Sequence, residues 1–304
     1  MSALDRLIAA RFEASAGPAR RFVCYRCGIH PAYRTASSSR ERRTLEATQE
    51  RDYGKLINRV PEVTLVFWIL KILATTVGET AADVLSTTFK LGTVATSYVM
   101  GVLLLISLVF QLRAKRYVPA IYWIVVVFIS VVGTLISDNL VDNLGVALAT
   151  TSMIFAVALI AVFAFWYLIE RTLSVHTIYT ARRELFYWAA ILFTFSLGTS
   201  AGDLLSERLG LGYALSAVMF GAAIAIIYAT YRFGLTNEVL AFWLAYILTR
   251  PLGASMGDLL TAAKDEGGLS IGTIPVSVVF LLVIVALVIH LDREEKKKLR
   301  RSQP

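Results

Sequence analysis

Trp188-Ala189-Ala190-Ile191-Leu192-Phe193-Thr194-Phe195-Ser196-Leu197-Gly198-Thr199-Ser200-Ala201-Gly202-Asp203-Leu204-Leu205 is the stretch that decides the fold. A glycine stands ten residues after the tryptophan, an aspartate fifteen after it and a leucine seventeen after it. The same offsets recur from Trp68, Trp123 and Trp243, giving Gly78, Gly133 and Gly253, then Asp83, Asp138 and Asp258, then Leu85, Leu140 and Leu260. The residue before each aspartate is small: Ala82, Ser137, Gly202 and Gly257. Trp166 serves as a control, with His176 and Ala181 at the glycine and aspartate offsets. Self-similarity at a fixed period of about 55 residues marks a repeat architecture, and it has to be read before any motif.

Around this grid the chain is strongly apolar. Of its 304 residues 57% are hydrophobic and 17% charged, against about 45–50% and 25% in soluble domains. Those figures weigh against a soluble enzyme, and two cysteines, 19 glycines and 7 prolines exclude a disordered chain, a disulfide scaffold and a fibrous repeat. Eight segments, near 64–86, 92–112, 119–141, 145–169, 185–206, 210–232, 239–261 and 271–291, reach the roughly 20 apolar residues that a bilayer crossing needs. Short connections make consecutive helices antiparallel. With eight spans, 25 Lys and Arg fall on one face, and only Lys90, Arg208 and Lys264 on the other. The positive-inside rule then puts both termini in the cytoplasm. Basic loops beside anionic lipid account for the net charge of +8 without nucleic acid, for which no recognisable module is present.

The fold class expected is all-α and membrane-embedded: eight transmembrane helices as four parallel two-helix repeats, pseudo-symmetric about an axis along the membrane normal. The organisation expected is an Arg-rich flexible cytoplasmic arm at 1–58, a membrane domain at 59–292 with repeats near 60–115, 116–180, 181–235 and 236–292, and a basic tail at 293–304. The arm has no stretch fit for a signal peptide. Four stretches carry a resemblance: Val60-Pro61-Glu62-Val63-Thr64 with Gly78-Glu79-Thr80; Ser137-Asp138-Asn139-Leu140 with Asp142-Asn143-Leu144-Gly145; Gly198 to Asp203; and Thr249-Arg250-Pro251-Leu252-Gly253-Ala254-Ser255. On these the chain resembles a family of bacterial inner-membrane proteins with four tandem two-helix repeats of unknown function, each carrying a tryptophan. The resemblance spans about 55–292 and implies a bacterial inner-membrane location. It implies a fold and no activity.

On a helix, fifteen residues leave tryptophan and aspartate on one face, about 60° and about 22 Å apart. Trp68, Trp123, Trp188 and Trp243 read as an interfacial belt. Gly78, Gly133, Gly198, Gly202, Gly253 and Gly257 read as close helix packing of the small-xxx-small kind. The polar stripe runs through Lys71, Thr75, Glu79 and Asp83; through Ser130, Thr134, Asp138 and Asp142; through Thr199, Asp203 and Glu207; and through Arg250 and Asp258. A carboxylate at membrane depth costs several kcal/mol unless paired, hydrated or protonated. The four aspartates and Glu79 are therefore expected to face one interior, with Lys71 and Arg250 as charge balance. Thr75, Thr134 and Thr199 are expected to add oxygen ligands. The competing reading of Asp138, Asp203 and Asp258 is local capping of helix ends. Glu79 has no helix end to cap, and Arg250-Pro251 marks an expected break or kink.

Cys24-Tyr25-Arg26-Cys27-Gly28-Ile29-His30 supplies half a zinc site without a second pair of ligands. His176 and His290 stand alone and read as ordinary interface residues. No nucleophile elbow, zincin motif, P-loop or dinucleotide fingerprint is present, so the expectation is a non-enzyme without cofactor. The function expected is secondary transport of a small cation coupled to protons, with hard ions such as Mg²⁺ or Mn²⁺ the best chemical match to oxygen ligands. The alternative is a structural or regulatory membrane protein with a fixed buried polar network. The partners expected are the bilayer, the cation and protons.

Overall fold

The computed structural model describes residues 58–301. The expected arm before residue 58, with Cys24, Cys27 and His30, lies outside the described residues. Eight long helices follow: α1 Leu65–Asp83, α2 Gly92–Arg113, α3 Pro119–Asp138, α4 Leu148–Glu170, α5 Ala181–Asp203, α6 Gly212–Arg232, α7 Glu238–Thr261 and α8 Thr273–Arg301. No strand occurs among the described residues. All eight are long and apolar enough to cross a bilayer, so the chain is a multi-pass membrane protein.

Local chemistry starts each odd helix. Thr64, Thr180 and Asn237 accept hydrogen bonds from the backbone N–H groups of Phe67, Arg183 and Leu240, and Pro119 occupies the first turn of α3. At the other end, a single π-helical turn follows Asp83, Asp138 and Asp203: Val84–Thr88, Asn139–Asn143 and Leu204–Arg208. Such widened turns are rare and concentrate where side chains must be re-aimed. Two boundaries differ from the sequence reading. α5 begins at Ala181, four residues early, because Thr180 caps it. α8 continues through the expected basic tail to Arg301, where Lys296–Asp292 and Lys297–Glu294 pairs one turn apart support it.

The odd helices form an inner ring in the cyclic order α1, α3, α5, α7, with α7 back against α1. More than half of each is buried, against less than a quarter of each even helix. Each even helix lies on the odd helix of the next repeat: α2 on α3, α4 on α5, α6 on α7, and α8 on α1. A repeat's two helices meet chiefly at their linking turn, because the inner helix's exposed stripe is covered by the preceding repeat.

Glycine sets the spacing of the inner ring. A β-carbon at Gly78 would overlap Ser130, at Gly133 Phe195, at Gly198 Arg250, and at Gly253 Thr75. In each case the obstructing residue stands seven positions after the tryptophan of the next repeat, and the fourth contact closes on the first. Gly202 and Gly257 face ordinary or slightly tight neighbours, Pro251 and Thr76, so the second member of each small pair is the looser one.

The tryptophans do not form a lipid-facing belt. Trp123, Trp188 and Trp243 are buried and Trp68 is half-buried. The reason is an aromatic immediately before each: Phe67, Tyr122, Tyr187 and Phe242, every one edge-on or tilted to its tryptophan at 5.2 Å. Each of these four also reaches the tryptophan of the next repeat, Phe67 to Trp123 at 5.8 Å, Tyr122 to Trp188 at 5.4 Å, Tyr187 to Trp243 at 6.1 Å and Phe242 to Trp68 at 5.7 Å. Eight rings thus close a second circle, of the edge-to-face kind that aromatic quadrupoles favour. Trp166, outside the grid, packs on Trp243 from α4.

Gly133→Ala should therefore destabilise the protein by about 1–3 kcal/mol through overpacking, despite alanine's better helix propensity. Gly221→Ala, on the open face of α6, should be neutral or stabilising. Thermal unfolding of the detergent-solubilised variants measures both; equal effects would refute the ring contact.

Candidate functional site

The inner helices carry their polar residues in layers, because each odd helix holds the same register against the ring's axis. Three positions after the tryptophans stand Lys71, Val126, Ile191 and Tyr246. Seven after stand Thr75, Ser130, Phe195 and Arg250, eleven after Glu79, Thr134, Thr199 and Ala254, and fifteen after the four aspartates. The lower layers are buried completely or nearly so, whereas all four aspartates are half-buried.

Arg250 is the centre of the middle layers and is fully buried. Its guanidinium is paired with Glu79 Oε2 at 2.7 Å and donates to Thr199 Oγ1 at 2.6 Å, to Thr134 Oγ1, and to the Thr75 carbonyl at 3.3 Å. Its Nε donates to the Phe195 carbonyl at 3.4 Å. Thr134 in turn donates to Glu79 Oε2 at 3.2 Å. One side chain from the fourth repeat thereby holds the other three. α7 runs unbroken through Pro251, where a break or kink was expected, and Pro251 packs against Gly198 and Gly202. The proline's missing N–H is tolerated because tight packing on α5 supports the helix at that point.

Two expectations change here. Thr75, Thr134 and Thr199 are absent from the cavity lining; they lie beneath it, and the two hydroxyls nearer to it, those of Thr134 and Thr199, serve Arg250. Lys71 balances no carboxylate among its described contacts. Its ammonium donates to Thr75 Oγ1 at 3.2 Å and lies over the rings of Phe195 at 4.0 Å and Tyr246 at 4.4 Å. Lys71 is two turns, or about 12 Å, below Glu79 on the same helix, too far for a pair.

Above this floor is a cavity of about 460 Å³, opening at the aspartate end of the ring. Asp83, Asp138, Asp203 and Asp258 line it together with Glu79 and Asp142, and among the described residues no lysine or arginine does. Ser86, Thr87, Thr93, Tyr213, Thr261 and Thr273 supply the hydroxyls of its wall. The structure thus brings the four grid aspartates into one chamber. Among the described residues no three carboxylates, imidazoles or thiols come close enough to clasp a single bare metal ion. Glu207 falls outside what the structure describes in side-chain detail.

The aromatic circle shuts the opposite end, and beside it is a polar cluster that the sequence reading missed. Buried Glu184 accepts from Arg59 Nη1 at 2.9 Å, from Gln111 Nε2 at 2.8 Å and from Trp188 Nε1 at 3.4 Å. Asn58 donates to the Val175 carbonyl in the same region. The available signals were a glutamine in the apolar run of α2 and a glutamate one turn before a grid tryptophan. Tyr117, in the link before α3, accepts from Trp123 Nε1 at 3.2 Å, and burial pushes its phenol well above the ordinary range. His176, read as solitary, faces Glu238 at 3.0 Å.

This layered fourfold arrangement coincides with a family pattern. The chain belongs to the Repeat of Unknown Function (DUF347) family. Four copies of the repeat match, at residues 66–117, 121–172, 186–234 and 241–297. Each DUF347 match takes in one inner helix and the outer helix that follows it, so the family's unit is the one traced by the tryptophan grid. No curated protein and no solved structure matches the chain.

Arg250→Met should cost about 3–5 kcal/mol, because it leaves the Glu79 carboxylate buried without its partner. Adding Glu79→Gln should recover at least half of that loss. A double-mutant cycle by denaturant unfolding in detergent is the measurement, and simple additivity would refute a coupled pair.

Proposed function

We propose that this protein is a secondary carrier for a small cation, coupled to protons, and that the aspartate chamber is its binding site. The observation that carries the reading is the chamber's charge: among the described residues six carboxylates line it and no basic side chain does. Such a lining attracts cations and holds them by Coulomb forces that a partly dehydrated site strengthens. A chamber open at one end and shut at the other by the Arg250–Glu79 floor and the aromatic circle has the form of one state of an alternating-access cycle.

The spacing of the carboxylates suits a cation that keeps part of its water shell, as Mg²⁺ and Mn²⁺ do readily. The charge asymmetry of the loops supports an inner-membrane protein with cytoplasmic termini, so that the chamber faces outward. Glu79, engaged by Arg250, acts in this reading as the gate at the floor, with the aspartates above it as the ligands. The protein is read as non-catalytic.

A second reading has its own support. The ties of Arg250 to every other repeat are what a fixed structural network would require. The two separate at the aspartates, which stand above that network. Asp138→Asn should reduce flux of Mg²⁺ or Mn²⁺ into proteoliposomes by at least about tenfold, roughly 1.4 kcal/mol of lost interaction, with the melting temperature unchanged. Lower pH on the chamber side should weaken cation binding, because protons compete for the same oxygens. A variant that loses thermal stability, with no flux in the parent protein across a panel of metal salts, would establish the structural reading instead.

A further inference from the structure

The Lys71 ammonium is a buried ionisable group that the chamber does not use. It is almost wholly shielded from solvent in the closed half of the ring. Three elements face it. Its own helix presents Thr75, whose hydroxyl accepts from the amine while donating to the Lys71 carbonyl. α5 presents the Phe195 ring, and α7 presents the Tyr246 ring. At the same repeat position α3 and α5 carry the apolar residues Val126 and Ile191.

The next charged group along the axis is Arg250, and the two cations share their surroundings. Arg250 Nη1 donates to the carbonyl of the same Thr75. Its Cζ lies 5.3 Å from the centroid of the same Phe195 ring. One carboxylate, Glu79, is bonded in this layer, and its partner is Arg250. Among the described residues of these layers, two buried cations therefore stand against one bonded carboxylate. Arginine does not give up its proton in proteins, and lysine does so readily when buried. The surplus charge has one outlet.

We propose that Lys71 is the proton-binding site of the carrier: it releases its proton when a cation occupies the aspartate chamber and regains one when the cation leaves. The inference rests on the carrier reading above. The step is an acid–base exchange, in which one N–H bond of the ammonium breaks, the electron pair stays on nitrogen, and the proton passes to water. Cation entry raises the positive field along the axis, and loss of the Lys71 proton offsets one unit of it.

The exit lies toward the shut end. Tyr246, whose ring covers the amine, has a buried hydroxyl with no hydrogen-bond partner among the described residues. In the aromatic circle beyond it, the hydroxyls of Tyr122 and Tyr187 share a hydrogen bond at 2.5 Å. These three phenols stand toward the shut end, and beside them lie Tyr117 and the Glu184–Arg59 pair, the other titratable groups of that region.

Proteoliposomes containing the full chain, with Mn²⁺ as the probe and a trapped pH-sensitive dye, test the assignment. Wild type should couple Mn²⁺ uptake to proton movement, and an imposed pH gradient should drive Mn²⁺ accumulation. Lys71→Met should keep Mn²⁺/Mn²⁺ exchange within about threefold of wild type while losing both the dye response and the pH-driven accumulation. Lys71→Arg keeps a cation over the two rings and cannot deprotonate. It should bind Mn²⁺ in detergent with about one proton fewer released per ion than wild type in unbuffered solution, the remainder coming from the chamber carboxylates, and it carries the test if the methionine variant does not fold. Undiminished proton release from either variant overturns the assignment to Lys71. Absence of Mn²⁺ binding and flux in wild type would instead overturn the carrier reading, a different result.

Discussion

A guanidinium buried at the axis of four membrane helices is the constraint on which the rest of this structure depends. Arg250 cannot shed its charge and is fully buried, so protein atoms must satisfy it. Glu79 supplies the countercharge and Thr75, Thr134, Phe195 and Thr199 supply oxygen atoms, drawn from all three other repeats. This arrangement holds only if the inner helices approach closely, which Gly78, Gly133, Gly198 and Gly253 permit by leaving no side chain at each crossing. The tight ring and the buried charge therefore require one another.

The fourfold pattern is structural, and the departures from it are chemical. Glycine at each crossing, paired aromatics at one end and aspartate at the other occur in every repeat. They produce the glycine contacts, the aromatic circle and the ring of carboxylates around the chamber. Lysine, arginine and glutamate each occur once in the layers between, at positions where the other repeats carry uncharged residues. A protein made of identical units would place four like charges around one axis at each such layer, at a prohibitive electrostatic cost. Divergence among repeats lets the axis hold a graded series instead: a lone ammonium, then a guanidinium paired with a carboxylate, then the acidic chamber.

Interleaving of the outer helices explains how such an axis stays assembled. Each outer helix covers the inner helix of the following repeat, and α8 returns to cover α1, with Ser277 donating to Thr80 at 2.6 Å across that seam. No repeat can bury its own inner helix, so the ring is complete only when the last helix meets the first. The pair of α1 and α8 brings the two ends of the membrane domain together.

Much of this was legible in the residues themselves. Apolar length determined eight crossings, and the recurrence of tryptophan, glycine and aspartate determined four equivalent units in parallel orientation, because an even number of crossings returns each unit to the same side. The shared direction of the aspartates followed from the cost of a carboxylate facing lipid. Which helix covers which did not follow, since an apolar stripe is satisfied equally by its own hairpin partner or by a neighbour's. The inward turn of the tryptophans was hidden for a similar reason: an amphipathic ring suits either an interface or a core, and only the aromatic partners supplied by the next repeat decide between them. The partners of Lys71, the threonine cradle of Arg250 and the Glu184 cluster were decided by tertiary structure alone, because each joins side chains from helices whose relative rotation no single-helix periodicity specifies.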